Sequence, residues 1–365
     1  MAFTVRALQK TGPDEPFQIA EIERRDPRPD DIVIDIKAAG VCHSDIHTIR
    51  NEWGEAHFPL TVGHEIAGVV SAVGADVTRW AVGDRVGVGC LVNSCQQCAQ
   101  CRDDQEQFCE NGSVGTYNST DVDGSITQGG YAEKVVVNER FALRIPEEIG
   151  FLEAAPLLCA GITTFSPIDH WGVKAGDSVA VVGLGGLGHM AVQIAAAKGA
   201  EVTVLSRTTA KEADALALGA TRLLATDPAA EEDAADSEPV DAPVRDFFSE
   251  HAGEFDVILN TISAEFNLTD YLRLLKPRGA MVLVGLPPEG LRLPTRSLIG
   301  GSRVLAGSAI GGIAQTQQML DFCAEHGIAA KVEVIGVDEV DTAYDRLVRG
   351  DVRFRFVIDT ATFDR

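Results

Sequence analysis

The chain has 365 residues, 45% of them hydrophobic, so it can bury the cores of two ordinary domains. Its 54 acidic and 31 basic residues give a formal net charge of -23, a field that repels phosphate backbones and excludes nucleic acid as an expected partner. No apolar run is long enough to span a membrane and residues 1–10 lack the layout of a signal peptide, so we expect a cytoplasmic protein without a membrane partner. The acidity and the low lysine content, eight residues, are typical of adaptation to high salt, although an ordinary acidic protein fits this composition equally well.

The first part of the chain predicts a compact β-rich domain. In residues 31–88, short runs rich in β-branched residues alternate with glycine turns, and helical periodicity is weak. Residues 89–130 are polar and turn-rich, and they contain five of the eight cysteines. Because a loop of this length needs an internal cross-link, and cytosolic cysteines favour metal over disulfides, we expect a metal in it.

Four of these cysteines have the spacing C-x2-C-x2-C-x7-C, which brings four thiolates within reach of one tetrahedral Zn2+. They are Cys95, Cys98, Cys101 and Cys109. Since the protein supplies all four ligands, this zinc has no open position for a substrate and is expected to stabilise the loop at 90–112. Cys90 and Cys323 fall outside the spacing and are expected to be buried, inert thiols.

The middle of the chain predicts a nucleotide-binding domain. After residue 177, an apolar strand, a glycine turn, an alanine-rich helix and a second strand follow one another as in a parallel βαβ unit, and similar runs continue to about residue 300. We therefore predict an α/β protein with a doubly wound parallel sheet (Rossmann fold) at 156–300, a β-rich domain at 1–155, and a return to that domain at 301–365. The acidic segment 227–246 is expected to be a solvated loop without a chemical role.

A glycine motif follows the first strand of this βαβ unit. The run SVAVV ends at its first glycine and the helix begins at its last, which is the context that makes a G-x-G-x-x-G match specific for a dinucleotide. The residues of the motif are Gly183, Gly185, Gly186, Leu187 and Gly188. The first glycine permits the tight turn, the second lets the backbone approach the pyrophosphate, and the third lets helix and strand pack closely.

The end of the next strand indicates which dinucleotide binds. Ser206 and Arg207 stand where an NAD site would place an acidic residue against the ribose 2'-hydroxyl. The missing acid and the arginine favour a 2'-phosphate, and Lys211 can supply a second charge-assisted contact. We therefore expect NADP(H) as the cofactor.

Three further strings, GVCHSD, VGHEIAG and PLLCAG, contain metal-ligand residues that spacing alone would not unite. Together with the cysteine quartet and the glycine motif, they resemble the zinc-containing medium-chain dehydrogenases over nearly the whole chain. The nearest branch is that of the cinnamyl alcohol dehydrogenases and their bacterial NADP-dependent relatives, through GVCHSDIHTIRNEWG, FPLTVGHEIAG, PLLCAGITTFSP and VGLGGLGH. The resemblance implies a GroES-like fold for the β-rich domain, and transfer of hydride between NADP(H) and a broad range of primary alcohol and aldehyde pairs.

The same resemblance implies a second, catalytic zinc, and so two Zn2+ per chain. Its ligands would be Cys42, His64 and Cys159, with Glu65 a nearby carboxylate able to approach the metal. Such a Cys2His set, known for alcohol dehydrogenases, leaves a fourth position at which zinc polarises a substrate oxygen.

The resemblance also implies a proton relay from Ser44 to His47 through the nicotinamide ribose, since imidazole exchanges protons near neutral pH. Asp45 resembles the carboxylate that orients ligand His64 through its other ring nitrogen. His43 is expected near the cofactor pyrophosphate.

Four more residues would surround the nicotinamide: Thr163, Gly285, Ser308 and Ile310. Plant members of the branch have a bulky aromatic residue near the place of Gly115, so a roomier pocket is expected, with Trp53 and Phe58 near its entrance. A homodimer or homotetramer formed through the edge strands of the nucleotide domain is also expected.

Two other functions fit parts of this pattern. A zinc-dependent polyol or sugar dehydrogenase generally replaces the third ligand cysteine with a carboxylate, and Cys159 argues against that branch. A non-catalytic sensor that binds zinc and nucleotide would be expected to lose Ser44, His47 or Cys159, and none is lost.

Overall fold

The computed structural model describes residues 2–227, 247–287 and 290–364. Its strands are β1 (Phe3–Gln9), β2 (Gln18–Arg24), β3 (Asp31–Gly40), β4 (Ile66–Val73), β5 (Arg85–Val88), β6 (Leu91–Asn93), β7 (Val114–Gly115), β8 (Lys134–Asn138), β9 (Leu143–Arg144), β10 (Ser178–Val182), β11 (Glu201–Ser206), β12 (Arg222–Ala225), β13 (Phe255–Asn260), β14 (Leu275–Leu283), β15 (Val304–Gly307), β16 (Val332–Ile335) and β17 (Arg355–Asp359). Its α-helices are α1 (His43–Ile49), α2 (Ala99–Arg102), α3 (Phe151–Ala154), α4 (Ala160–His170), α5 (Gly188–Ala197), α6 (Glu212–Ala217), α7 (Phe247–Glu250), α8 (Leu268–Arg273), α9 (Arg296–Ile299), α10 (Ile313–Glu325) and α11 (Val340–Val348). Short 3-10 helices lie at Glu106–Phe108, Glu139–Phe141, Ala155–Leu158, Val337–Glu339 and Thr360–Asp364.

The chain divides into two compact units, one from residues 1–162 and 310–365 and the other from residues 163–309. The chain thus leaves the first unit once and returns to it for its last part. The acidic segment predicted to be a solvated loop lies outside the described residues, apart from Asp227.

The first unit is built on a seven-stranded sheet with the order β16-β17-β3-β4-β5-β9, and β8 pairs with β3. The central strand β3 has the sequence DIVIDIKAAG and is buried along most of its length, as expected for a β-branched run between neighbours. Its last residues pair with the start of β4 and with β17, at Ala39 with Ile66 and at Gly40 with Val357. This register brings the end of β3, the start of β4 and strand β17 together at one end of the sheet.

Helices pack on that same end of the first unit. A single apolar cluster joins the residues after β3 and in α1, such as Val41 and Ile46, to Phe356 of β17 and to Val340 and Leu347 of α11. Burying each such side chain contributes roughly 1.5–3 kcal/mol, which is enough to hold the short helix α1 in a fixed position.

The second unit is a six-stranded parallel sheet with the order β12-β11-β10-β13-β14-β15. This is the doubly wound Rossmann order, so the predicted nucleotide-domain fold is confirmed. Strand β10 lies at the centre and is almost fully buried, because parallel neighbours and covering helices surround it. Helix α5 packs against β10 and β11, and the glycine turn joins β10 to α5.

Within the described residues, no single helix has the length and apolar character needed to cross a membrane, and only the bent pair Phe151–Leu158 and Ala160–His170 passes that test jointly.

Candidate active site and metal centres

Two clusters of potential metal ligands occur among the described residues, and in each cluster the ligand atoms lie within 4.8 Å of one another. The first consists of Cys95, Cys98, Cys101 and Cys109, the quartet predicted from spacing. The second consists of Cys42, His64, Glu65 and Cys159, which the chain brings together from positions far apart in sequence.

Backbone amides point at the sulfurs of the quartet. The amide of Cys98 donates to Cys95 Sγ at 3.4 Å, and the amide of Cys101 donates to Cys98 Sγ at 3.5 Å. The backbone amide of Gln97, with other donors, lowers the pKa of Cys95 to about 6, whereas burial raises the pKa of Cys101 to about 12. Four converging sulfurs with amide donors fit a tetrahedral thiolate zinc site, in which the cation would hold all four deprotonated.

The second cluster forms at the end of the sheet described above. Cys42 follows β3 and caps α1, His64 and Glu65 immediately precede β4, and Cys159 stands between a 3-10 helix and α4. His64, Glu65 and Cys159 are buried, and Cys42 is partly exposed. The pairing of β3 with β4 and β17 therefore fixes the positions of Cys42, His64 and Glu65, and the 3-10 helix before Cys159 contacts the same strands.

The two thiols of this cluster interact directly. A hydrogen bond with Cys159 lowers the pKa of Cys42 well below its ordinary value, while the same contact and burial raise the pKa of Cys159. Of the two thiols, that of Cys42 therefore loses its proton more readily than that of Cys159. A divalent cation would stabilise both as thiolates, so the pair fits a zinc site.

Asp45 fixes the orientation of the histidine ligand. Its carboxylate is fully buried, and Oδ1 lies 3.2 Å from His64 Nδ1 and accepts the backbone amide of Gly63 at 3.3 Å. Oδ2 accepts the backbone amide of Cys42 at 3.0 Å. With Nδ1 held by Asp45, the Nε2 atom of His64 is left for a metal.

Glu65 pairs with an arginine that the sequence analysis missed. Arg355, at the start of β17, is buried and donates from Nη2 to Glu65 Oε1 and, at 2.9 Å, to the Val41 carbonyl. Burial raises the pKa of Glu65 to about 8 against the opposing effect of Arg355. The other carboxylate oxygen, Oε2, is buried without a hydrogen-bond partner among the described residues, and this fits a group that approaches a metal. An arginine inside the apolar run FRFVID was the signal that could have identified it.

Ser44 and His47 lie three residues apart on α1 and so share one face of the helix. The Oγ atom of Ser44 is 3.5 Å from Cys42 Sγ. The His47 ring stacks on Trp53 with 4.8 Å between centroids, and its Nδ1 contacts the Glu52 carboxylate. Glu52 is half exposed, so this row of side chains leads from the ligand cluster toward solvent. Glu52 lies within the quoted string GVCHSDIHTIRNEWG but was not selected from the sequence.

Cys90 does not fit the expectation of a buried, inert thiol. Its side chain is partly exposed and forms a hydrogen bond with Cys159, which lowers the pKa of Cys90. Cys90 lies two residues after the end of β5. Because β5 pairs with β4, the sheet brings Cys90 to the ligand cluster. Cys323, by contrast, is fully buried in α10 beside Met319, as expected.

A cavity of about 220 Å3 opens near His64 and His47. It is lined by Thr48, Trp53, Gly54, Glu55, Tyr117 and Asn118. The Tyr117 ring lies 5.6 Å from the His64 ring, so this cavity adjoins the ligand cluster. Gly115 pairs with Leu91 in the β6–β7 sheet and is not a lining residue, and Phe58 packs against the apolar core.

In the second unit, the glycine motif has the backbone features of a dinucleotide site. Gly183 has a φ of +88°, and a Cβ atom on Gly188 would lie 2.0 Å from the Gly183 carbonyl oxygen. A Cβ on Gly185 would meet nothing within 4 Å, so the backbone there is open to a ligand. These are the three roles that a phosphate-binding turn requires, and the N-terminus of α5 beyond Leu187 adds its dipole.

The predicted 2'-phosphate residues flank this turn. Ser206 ends β11, which pairs with β10 immediately before the glycine turn, and Arg207 is exposed. Lys211 Nζ donates to the Leu184 carbonyl within the turn at 3.0 Å. Of the remaining predicted cofactor residues, Thr163, Gly285 and Ser308 belong to the second unit and Ile310 to the first.

Comparison with known proteins matches residues 28–147 to the alcohol dehydrogenase GroES-like domain and residues 186–325 to the zinc-binding dehydrogenases. The chain is 53% identical over 358 residues to a probable formaldehyde dehydrogenase of Bacillus subtilis, covering 98% of each chain. It is 50% identical to NADP-dependent alcohol dehydrogenase C 1 of Mycolicibacterium smegmatis, covering 98% of this chain and 99% of the relative. It is also similar to the solved structure of a cinnamyl alcohol dehydrogenase from Sorghum bicolor, with a TM-score of 0.90, 40% identity and 98% of each chain covered.

Proposed function

The chain belongs to the zinc-containing medium-chain alcohol dehydrogenases, in the branch of the cinnamyl alcohol dehydrogenases, and from this premise we propose how its residues share the reaction. It is an NADP-dependent alcohol dehydrogenase and aldehyde reductase. The observation that carries the assignment of roles is the convergence of Cys42, His64, Glu65 and Cys159 within 4.8 Å.

Cys42, His64 and Cys159 would hold the catalytic zinc, and a zinc in such a Cys2His site would polarise the oxygen of the substrate. Asp45 keeps the His64 ring in place through Nδ1. Glu65, tethered by Arg355 through one oxygen, has its second oxygen available to approach the metal when ligands exchange. The quartet of Cys95, Cys98, Cys101 and Cys109 holds the structural zinc.

The second unit would bind the cofactor, and NADPH held there would provide the hydride for aldehyde reduction. The open backbone at Gly185 and the N-terminus of α5 receive the pyrophosphate. Ser206, Arg207 and Lys211 receive the 2'-phosphate, because no acidic residue stands at the end of β11 to reject it. Thr163, Gly285, Ser308 and Ile310 are proposed to surround the nicotinamide.

A proton reaches the substrate oxygen through side chains of α1. Ser44, beside the Cys42 sulfur, donates the proton to that oxygen during reduction. His47, on the same face of α1, would supply the proton that restores Ser44, and Glu52, in contact with His47 and half exposed, would exchange it with water. Oxidation of an alcohol runs the same path in reverse.

The substrate range follows from the cavity beside the cluster. Trp53, Thr48 and Tyr117 give it aromatic and hydroxyl surfaces, and Glu55 is the one charged residue among the described residues that line it. A volume of about 220 Å3 accommodates small and medium aldehydes. We therefore assign a broad range of primary alcohols and aldehydes, and the third ligand, Cys159, argues against a polyol.

An exposed apolar edge of the parallel sheet supports a homo-oligomer, and the free cysteines support a reducing compartment. Strand β15 lies at the edge of the parallel sheet, and Val304 on it and Ile299 before it are exposed apolar residues that a second copy of the chain would cover. All eight cysteines are free, which suits the cytoplasm. Light scattering on a size-exclusion column, with Val304→Lys as the interface variant, tests the assembly.

The experiment that tests the function measures aldehyde-dependent oxidation of NADPH beside NADH, together with zinc content. The wild-type protein should turn over aliphatic and aromatic aldehydes with NADPH and contain two zincs per chain. Cys159→Ala should contain one zinc and lose turnover while binding NADPH normally, whereas Cys323→Ala, a buried cysteine outside both clusters, should resemble the wild type. Equal loss of turnover and NADPH binding in Cys159→Ala would mean that the site is misplaced.

A further inference from the structure

Three of the four tyrosines in the chain surround the single carboxylate of Asp45. They are Tyr117, Tyr131 and Tyr344. Tyr131 follows the paired glycines 129 and 130, and its ring is fully buried in the apolar cluster that also holds Tyr344. A polar hydroxyl at that depth requires a partner, and here the partners are specific.

The hydroxyls form a chain of hydrogen bonds in which each group donates toward Asp45. Tyr344 Oη donates to Tyr131 Oη at 3.3 Å, and Tyr131 Oη donates to Asp45 Oδ2 at 2.9 Å. On the opposite side of the carboxylate, Oδ1 lies 3.2 Å from His64 Nδ1. The chain therefore connects α11, near the end of the protein, to the proposed zinc ligand His64.

Asp45 needs the hydroxyl of Tyr131. A buried carboxylate has about four acceptor positions. Asp45 is contacted by the amides of Cys42 and Gly63, the His64 ring and the Tyr131 hydroxyl, and it also has a side-chain hydrogen bond with Tyr117. Oδ2 accepts from the Cys42 amide and from the Tyr131 hydroxyl, so loss of the hydroxyl would remove one of these two donors from that oxygen. The carboxylate would then form stronger hydrogen bonds with its remaining donors or rotate, and either change would move the His64 ring.

The position of Tyr131 is itself fixed from several sides. Its backbone amide donates to the Val62 carbonyl at 3.0 Å, and its carbonyl accepts from the Leu8 amide at 2.8 Å. Its ring packs against Phe17, whose centroid is 6.0 Å away, and Phe17 in turn meets Tyr344 edge-on at 5.2 Å. Burial and the neighbouring Asp45 raise the pKa of Tyr131 well above its ordinary value, so the hydroxyl keeps its proton and remains a donor.

We propose that Tyr131 is a positioning residue for the catalytic zinc, acting through Asp45 on His64, and that Tyr344 supports it from the far side of the hydrogen-bond chain. This inference rests on the proposed function, in which His64 is a zinc ligand. It assigns a role in metal retention to two residues that are neither metal ligands nor lining residues of the cavity described above.

The test uses the zinc-loaded enzyme and the variants Tyr131→Phe, Tyr344→Phe and Tyr271→Phe. Zinc release into excess chelator is followed with a colorimetric zinc indicator, and the phase that Cys159→Ala lacks is assigned to the catalytic site. Tyr271 is the matched control, because it is a buried tyrosine of the second unit whose hydroxyl bonds to Thr226. The enzyme with Co2+ in the catalytic site gives a second readout, since its visible absorption bands report ligand geometry.

Tyr131→Phe should release the catalytic zinc about 3- to 10-fold faster, less than the roughly 10- to 100-fold typical when a direct partner of a ligand is lost. The cobalt bands should shift, and the structural zinc phase should not change. Tyr344→Phe should show a smaller acceleration, because Tyr131 still donates to Asp45.

Unchanged catalytic-zinc release and cobalt bands in Tyr131→Phe would overturn the proposal, and so would an equal acceleration in Tyr271→Phe, which would indicate general loosening. If the proposed function is wrong, the result differs: Cys159→Ala would retain both zincs and release them in the same phases as the wild-type protein.

Discussion

Replacing Arg207 by alanine tests the cofactor assignment, because that guanidinium is the strongest reason to expect a 2'-phosphate. A charge-assisted hydrogen bond contributes about 1.5–3 kcal/mol, and every 1.4 kcal/mol corresponds to about a tenfold change in affinity. Arg207 is exposed, so solvent and salt screen the contact and favour the lower part of this range. Arg207→Ala should therefore weaken NADPH binding by about 10- to 30-fold.

The dissociation constants of NADPH and NADH are measured by cofactor fluorescence at one fixed ionic strength. NADH binding should change less than about twofold, since NADH has no phosphate for Arg207 to contact. Lys211→Ala should have a smaller effect than Arg207→Ala, because its ammonium group already donates to the Leu184 carbonyl. The matched control is Arg222→Ala, another arginine of the same sheet, which pairs with Glu254. An unchanged ratio of NADPH to NADH affinity in Arg207→Ala would refute the 2'-phosphate argument.

Three further predictions follow from the same structure. Arg355→Met should lower the free energy of unfolding by about 3–5 kcal/mol in urea titrations, because it removes the partner of the buried Glu65 side chain. Arg346→Met, at a more exposed pair, should lower it much less, and equal losses would contradict this. Cys109→Ser should lose one zinc and become sensitive to protease within 95–109 while keeping the catalytic zinc, and loss of both metals would count against separate sites. Because the net charge is -23, molar KCl should raise the melting temperature, and a lower melting temperature in salt would speak against dominant repulsion.

The features that the sequence predicted best are those set by neighbouring residues. The strand β10, the glycine turn and α5 lie within about twenty residues, and each has a local signature in β-branched residues, glycine spacing or alanine content. The cysteine quartet is also local, since its spacing alone brings four sulfurs to one point. Periodicity and spacing were sufficient for the Rossmann sheet and for the structural zinc cluster.

The second cluster could not be found in that way, because its members are brought together by strand pairing between distant segments. Cys42, His64 and Cys159 were selected only through their resemblance to a family. Cys90 and Arg355 were not selected as site residues, since nothing in their local sequence indicates that the end of β5 lies near Cys159 or that the start of β17 lies beside Glu65. Contacts of this kind depend on sheet register, which a single sequence specifies only weakly.

Gly40 shows how tightly side-chain packing constrains the strand register at the site. Its φ is ordinary, so the glycine is not there for a turn; a Cβ atom at this position would lie 2.0 Å from Glu65 Oε2 and 2.9 Å from Glu65 Cβ. The backbone of Gly40 also donates to the Glu65 carbonyl at 2.9 Å, which ties the end of β3 to the residue before β4. The sequence shows a glycine two residues before the ligand Cys42 but not what it approaches. Because the missing side chain makes room for Glu65, and Arg355 then holds that carboxylate, the geometry of the ligand cluster is decided as much by the packing of β3, β4 and β17 as by the ligands themselves.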